Sequence, residues 1–466
     1  MPRPLVYLIY NLLLPLVLIL GLPGFVIKGL RRGGLARNFR QRLGFFSPSM
    51  RKRFHEHQPI WIHAVSVGEI FVALKIIDSI RAVAPSQSIV LSTTTTTGYR
   101  VAAEKESETL AVIHNPVDLP FVTARVIRQI DPSELVLIEA EIWPNLVGQL
   151  KRRGVPVLLV NARLSPRSER RYVKCRALIE PIFSLLDGAT VPFEIDRDRW
   201  AGLGVPRDKI EVTGSVKFDN AVHSSENAKL QEELRHWLAA TGMPHSRRIL
   251  LAGSTHEGEE RLIAEIAFQL KSDFPDLFLV IVPRHAERGA VIASQLDARG
   301  FDPVLRVAAN RVGSGTGEGS ASPESPSRGR IWIANTTGEL RSWFQLAEVV
   351  IIGKSFCSEG GQNPVEPILS GKPVVVGPHM ENFTDVVTEL ITVGGICQVA
   401  NEGALAPALL ELFNDPAHGI ELARRGATAM ARHEGASARN AAIILSTVVK
   451  NRPNPTLDRS RPIHHH

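Results

Sequence analysis

The chain has 466 residues, a formal net charge of +7 and three cysteines. Its length exceeds what one hydrophobic core keeps filling, so two domains of roughly 200 residues each are expected. Cys175, Cys357 and Cys397 are widely spaced and form no CxxC pair, which excludes a disulfide framework or a cysteine zinc site and suits a reducing compartment.

Between Arg3 and Lys28 lie 24 uncharged residues dominated by Leu, Ile and Val, enough to span a bilayer. Pro15, Gly21, Pro23 and Gly24 are expected to kink or end such a helix, so shallow one-sided insertion stays open beside a full span. No small-residue cleavage site follows, which disfavours a signal peptide. A basic collar comes next: Lys28, Arg31, Arg32, Arg37, Arg40, Arg42, Arg51, Lys52 and Arg53. It has no RNP, KH, zinc-finger or helix-turn-helix pattern and no interleaved aromatics, so an anionic membrane surface is preferred over nucleic acid as its partner. The position of these cations after the apolar run puts the rest of the chain on the cytoplasmic side.

Short Val/Ile-rich runs then alternate with amphipathic segments, at 59–67, 88–93, 110–114, 134–139, 155–161 and 189–192. The alternation indicates a parallel sheet with helical crossovers. The rhythm restarts at 248–253 and continues at 277–282, 303–305, 329–334, 349–353 and 372–377, giving two doubly wound halves joined near 214–226. Residues 311–330, rich in Gly, Ser and Pro, are expected to form a mobile loop without chemistry, and the tail from 451 through His464, His465 and His466 to be disordered.

Several strand ends carry polar side chains. The run 60–67 stops at Gly68 and delivers Glu69 where a helix begins, at the carboxyl end of a strand, where open α/β sheets gather ligands. The same letters suit an acidic helix cap, and on local pattern alone the cap is the stronger reading. Glu139 and Glu141 close the run 134–139, and burial of both requires hydrogen-bond partners or a cationic neighbour. Lys217, within Gly214-Ser215-Val216-Lys217-Phe218-Asp219, stands near the junction and reads either as a ligand contact or as an ordinary exposed lysine.

In the second half, Pro283 and Arg284 follow a strand, and Arg284 either clamps a phosphate or pairs with Glu287. Thr337-Gly338-Glu339 make a strand-to-helix turn whose free N–H groups attract phosphate, unless Thr336 and Glu339 form a capping box. Gly360-Gly361-Gln362-Asn363-Pro364-Val365-Glu366-Pro367 set up a tight helix entry with Asn363 and Glu366 on one face, able to reach a base or ribose hydroxyl. Asp196-Arg197-Asp198 has DxD spacing but reads as a solvated helix face, and His256-Glu257 lacks the second histidine of a zinc helix. With no Walker A, GxGxxG or GxSxG present, the commonest ATPase, dehydrogenase and hydrolase readings fall away.

Taken in order, His63-Ala64-Val65-Ser66-Val67-Gly68-Glu69, Glu139-Ala140-Glu141-Ile142-Trp143-Pro144-Asn145, Asn161-Ala162-Arg163-Leu164-Ser165, Gly214 through Asp219, Ser254-Thr255-His256-Glu257-Gly258-Glu259-Glu260 and Gly360 through Pro367 resemble the 3-deoxy-D-manno-octulosonic acid (Kdo) transferases of lipopolysaccharide synthesis, from the anchor to near residue 440. The resemblance implies an α/β, GT-B fold: two Rossmann-like doubly wound domains facing a cleft, preceded by an N-terminal membrane-anchor helix. On that pattern 1–30 is the anchor, 31–222 the acceptor domain, 223–450 the donor domain with 311–330 a flexible insertion, and 451–466 the tail.

It also implies inverting transfer of Kdo from CMP-Kdo to a lipid A precursor (lipid IVA) at the cytoplasmic side of the inner membrane, next to anionic lipids, with no nucleic acid, cofactor or metal. Glu69 is implied as the general base taking the proton of the acceptor hydroxyl, with Glu139 and Lys217 as transition-state stabilisers. The CMP moiety is implied to contact Pro283 and Arg284, Thr337, Gly338 and Glu339, and Asn363, Pro364, Val365 and Glu366. Departure of CMP leaves an oxocarbenium-like sugar and a phosphate anion, which a carboxylate and cations respectively offset. The chain departs from the family pattern at Gln362, Asn335 and Ala286, where histidine, aspartate and proline are usual. The alternatives are another GT-B transferase or epimerase using a UDP-sugar, or an inactive member of the family.

Overall fold

The computed structural model describes residues 1–32, 35–55, 58–164, 166–219, 226–244, 246–306 and 328–451. The mobile-loop expectation for 311–330 falls mostly, and the tail expectation from 452 onward wholly, outside them.

The chain divides into two compact units, Met1–Asp219 with Arg432–His466, and Asn220–Ala431. The first holds β1 (Ile60–His63), β2 (Ile89–Thr93), β3 (Leu110–His114), β4 (Glu134–Ile138), β5 (Val157–Val160), β6 (Gly188–Val191) and β7 (Ile210–Val212). They pair in parallel in the order β3-β2-β1-β4-β5-β6-β7. The order reverses between β1 and β4, where a doubly wound sheet opens its ligand crevice at the strands' carboxyl ends. β1 to β5 are buried at every position, as expected of strands covered by helices on both faces. One face packs Trp61, Leu135, Leu137 and Leu159 with Phe183 and Trp200; the other packs Ile62, Leu91, Val136 and Ile138 with Ile70, Ile76 and Ile80.

The helix Ala436–Asn451 joins that second face through Ala441, Ile444 and Val448. The sequence places these residues with the second domain; the fold returns them to the first. Their apolar stripe complements the helix Val67–Val83, a match invisible without the tertiary structure.

The second unit holds β8 (Arg248–Thr255), β9 (Leu277–Pro283), β10 (Asp302–Leu305), β11 (Arg330–Ile333), β12 (Val349–Ile352), β13 (Val374–Val376) and β14 (Cys397–Gln398). All pairings are parallel, in the order β10-β11-β9-β8-β12-β13-β14, so the switch lies between β8 and β12. The undescribed residues 307–327 connect neighbouring strands β10 and β11.

The N-terminal helix runs without a break from Arg3 to Arg32, passing through the Pro and Gly positions expected to interrupt it. Among the described residues its Arg3–Gly21 portion is the one segment long and apolar enough to cross a membrane, and it is almost wholly unburied. It is tied to the first unit by polar contacts: Tyr10 donates to Asp118 Oδ2 at 2.9 Å, Tyr7 to the Pro144 carbonyl at 3.0 Å, and Asn11 and Asn145 exchange amide hydrogen bonds.

Candidate functional site

In the first unit the polar residues gather at the β1/β4 switch. Ser66 caps the helix Val67–Val83, and the capping box with Glu69 is fully formed. Both readings of Glu69 are therefore compatible: its backbone and carboxylate cap the helix, and the cap holds the carboxylate at the strand end. Val65 N–H donates to Oε2 at 2.8 Å and the Ser66 hydroxyl to Oε1 at 2.9 Å. Burial pushes its pKa above the usual carboxylate range, helped by the negative charges of Glu139 and Glu141 and opposed by the Val65 and Ser66 hydrogen bonds.

Glu139 follows β4 with φ +63°, a left-handed conformation costing a non-glycine residue about 1–2 kcal/mol. Its Oε1 lies 2.6 Å from Lys217 Nζ, so these two predicted residues meet as a half-buried ion pair. The Lys217 loop is braced by groups that sequence reasoning missed. Asn161 Oδ1 accepts from Val216 N–H at 3.1 Å, Lys75 Nζ donates to the carbonyls of Val216 and Asp219, and His433 Nδ1 accepts from Ser215 N–H at 2.9 Å. Asp219 in turn accepts from Gly435 and Ser437 N–H, which makes the returning C-terminal segment part of the support.

Beneath the carboxylates, the Trp143 indole donates to His63 Nε2 at 3.0 Å; an indole only donates, so the imidazole proton is on Nδ1 and goes to Ser92 Oγ at 2.9 Å. Full burial holds His63 down to about 4, keeping it neutral. This chain of contacts fixes the 139–145 loop against β1 and β2.

In the second unit, Pro283–Arg284, Thr337–Glu339 and Asn363–Glu366 follow β9, β11 and β12, and parallel pairing brings all three to one edge of the sheet. Arg284 is exposed, as are Thr337 and Gly338, the last with φ +89°. Glu339 is engaged: Arg306 holds both its oxygens at 2.8 and 3.1 Å, and Thr336 donates to Oε2 at 2.5 Å. The capping alternative for Thr336 is not realised, because Glu339 itself is the N-cap of Leu340–Leu346. Asn363 donates to Glu366 Oε1 at 3.1 Å, confirming their shared face, while Arg341 reaches Glu366 Oε2 at 3.3 Å.

The core of this edge is Glu259, fully buried, which sequence reasoning left without a role. Its carboxylate accepts four backbone N–H groups, from His256 at 2.8, Lys354 at 2.7, Ser355 at 2.9 and Phe356 at 3.0 Å, and so clips the β8 and β12 ends together. The approach is close enough that a Cβ on Gly353 would sit 2.5 Å from Thr255 Cα. Ser254 and Lys354, on either side of the clip, have φ +57° and +56°.

Asp196 differs from its sequence reading as solvated: it is buried and pairs with Arg199 at 3.1 Å.

A family model described as 3-deoxy-D-manno-octulosonic-acid transferase matches residues 37–220. The 3-deoxy-D-manno-octulosonic acid transferase of Haemophilus influenzae is 30% identical over 381 residues, covering 81% of this chain and 84% of that protein. The chain belongs to the 3-deoxy-D-manno-octulosonic acid transferase family. The Bordetella pertussis member is also 30% identical, over 82% of this chain and 85% of its own. The solved UDP-GlcNAc 2-epimerase of Neisseria meningitidis superposes with a TM-score of 0.53 at 12% identity over 84% of this chain and 100% of that one, a likeness of fold that agrees with GT-B.

As a Kdo transferase the chain is a glycosyltransferase, and two of the family departures have a visible setting. Gln362 Nε2 lies 3.3 Å from His256 Nε2, so an imidazole is still present beside that position. Asn335 packs against Gly289, where a Cβ would come within 2.4 Å of its own.

Proposed function

We propose that this chain transfers Kdo from CMP-Kdo to a hydroxyl of a lipid A precursor, lipid IVA or a close relative, with inversion at the anomeric carbon. The Glu69 carboxylate carries the reading. It is fixed by a cap it forms itself, raised in basicity by burial and two neighbouring carboxylates, and set at a sheet switch point. Glu69 accepts the proton of the acceptor hydroxyl as its oxygen bonds to the anomeric carbon and the bond from that carbon to the phosphate oxygen breaks. Glu139 stabilises positive charge developing on the sugar, and Lys217 neutralises Glu139 between turnovers. Pro283, Arg284, Thr337, Gly338, Asn363, Pro364, Val365 and Glu366 hold the CMP moiety, with Arg284 on its phosphate; Glu339 shapes the turn through Arg306. No metal or cofactor is required by this scheme.

The helix Arg3–Arg32 anchors the enzyme in the inner membrane, with the basic collar on the anionic cytoplasmic leaflet where the lipid acceptor resides. The full-length protein in detergent, given CMP-Kdo and a lipid A precursor, should yield a product heavier by one or more Kdo units on mass spectrometry. Absence of product, together with competition by UDP and not by CMP in a binding assay, would replace this reading with a UDP-sugar enzyme.

A further inference from the structure

At the β8/β12 switch the backbone donors that ordinarily meet an anion are already occupied, because Glu259 accepts the N–H groups of His256, Lys354, Ser355 and Phe356. An anion arriving there has to be met by side chains. Lys354 is the residue placed for it. It is half-buried and forms no ion pair among the described residues. Its ammonium lies over the buried Gly360: a Cβ there would stand 3.2 Å from Lys354 Nζ and 2.7 Å from Asn382 Nδ2, so two donors converge on a surface that only glycine leaves open. Nearby acids are committed elsewhere, Glu259 to the clip and Glu381 to Gly360 N–H at 2.6 Å. Lys354 also has φ +56°, where glycine would sit without strain, so the side chain is kept at a conformational cost.

We infer that Lys354, with Asn382, binds an anionic group of the sugar-nucleotide donor, either its phosphate or the carboxylate of the octulosonic acid. This rests on the donor reading above and adds to it a residue outside the predicted set. His256 and Gln362, whose side-chain nitrogens lie 3.3 Å apart, stand beside that lysine as hydrogen-bond partners.

The test is calorimetric binding of CMP and CMP-Kdo to the full-length protein and its Lys354→Met, Lys354→Arg and Lys354→Gly variants. Loss of one charge-assisted hydrogen bond predicts roughly 10- to 100-fold weaker donor binding by the Met and Gly variants, with Arg close to wild type. Equal weakening of CMP and CMP-Kdo assigns the phosphate; weakening of CMP-Kdo alone assigns the carboxylate. Lys354→Gly also relieves the left-handed backbone and should raise the melting temperature while donor affinity falls, a pairing that a purely structural lysine does not produce. Donor affinities within about twofold of wild type in both the Met and Gly variants overturn the inference and leave the proposed function standing. A wild-type protein that binds neither CMP nor CMP-Kdo overturns both.

Discussion

The two sheets share an architecture and hold their acids with different partners. At the carboxyl edge of the first, burial and then the nearby charges of Glu139 and Glu141 raise the basicity of Glu69. At the carboxyl edge of the second, nearly every acid is bound: Glu259 by four N–H groups, Glu260 by Arg288 and Thr255, Glu339 by Arg306, Glu366 by Arg341 and Asn363. On the first edge the bonds to Glu69 come from its own helix cap and leave its pKa raised beside two further carboxylates; on the second, carboxylates tie separate segments together. Backbone strain follows the same geography, since Glu139, Asn161, Ser254 and Lys354 carry positive φ at strand ends.

The contrast breaks first at Glu69. Glu69→Gln preserves the capping box and should fold normally while transfer falls on the order of 10²–10⁴-fold in kcat. Glu69→Ala should add a loss of about 1 kcal/mol in stability from the missing cap. Comparable activity of Gln and wild type in a product assay would reduce Glu69 to a cap.

Glu259→Ala tests the bracing role on the other edge. It orphans four backbone N–H groups, two of them buried, and should destabilise the second unit by about 3–5 kcal/mol in denaturant unfolding, with CMP binding lost alongside. A change below about 1 kcal/mol would mean the clip is dispensable.

Glu134 is an acid on neither edge, buried at the start of β4 with both oxygens lacking a hydrogen-bond partner among the described residues. Burial, then the charge of Asp187, pushes its carboxyl up to about 9 from an ordinary 4.5. The folded state therefore holds a proton that the unfolded state releases, and stability falls as pH rises from about 4.5 towards 9. Glu134→Gln should stabilise by on the order of 2 kcal/mol near pH 8 and by close to nothing near pH 4, measured by thermal unfolding at both.

The smallest effect concerns the coupling of the first edge. Because Glu139 raises Glu69, Glu139→Gln should move the acidic limb of the kcat/KM profile to lower pH by less than about one unit, on top of its loss of rate. An unmoved limb would uncouple the two carboxylates.

Much of this was legible in the chain. Twelve of the strands have counterparts in the Val/Ile-rich runs, because parallel strands buried on both faces need continuous apolar letters. The short β14, two residues long, has too little pattern to be read. Glu69, Glu139 and Lys217 were legible as positions at or after strand ends, whereas the Glu139–Lys217 contact joins residues 78 positions apart in sequence number and depends on where β4 and the 214–219 loop come to rest.

By itself the sequence determined the doubly wound alternation, the apolar N-terminal helix, the family and the edge of each sheet on which polar residues collect. Local hydrophobic period and strand–turn–helix chemistry suffice for the alternation, the helix and the edges, since each depends on neighbours within a few residues, whereas the family rests on the resemblance of six motifs taken in order along the chain. Only the tertiary structure decided that the helix Ala436–Asn451 returns to the first unit, that Asn161, Lys75 and His433 support Lys217, and that Glu259 binds backbone rather than ligand. Whether an acid is a base, a brace or half of an ion pair depends on donors brought in from distant parts of the chain, and no local pattern records them.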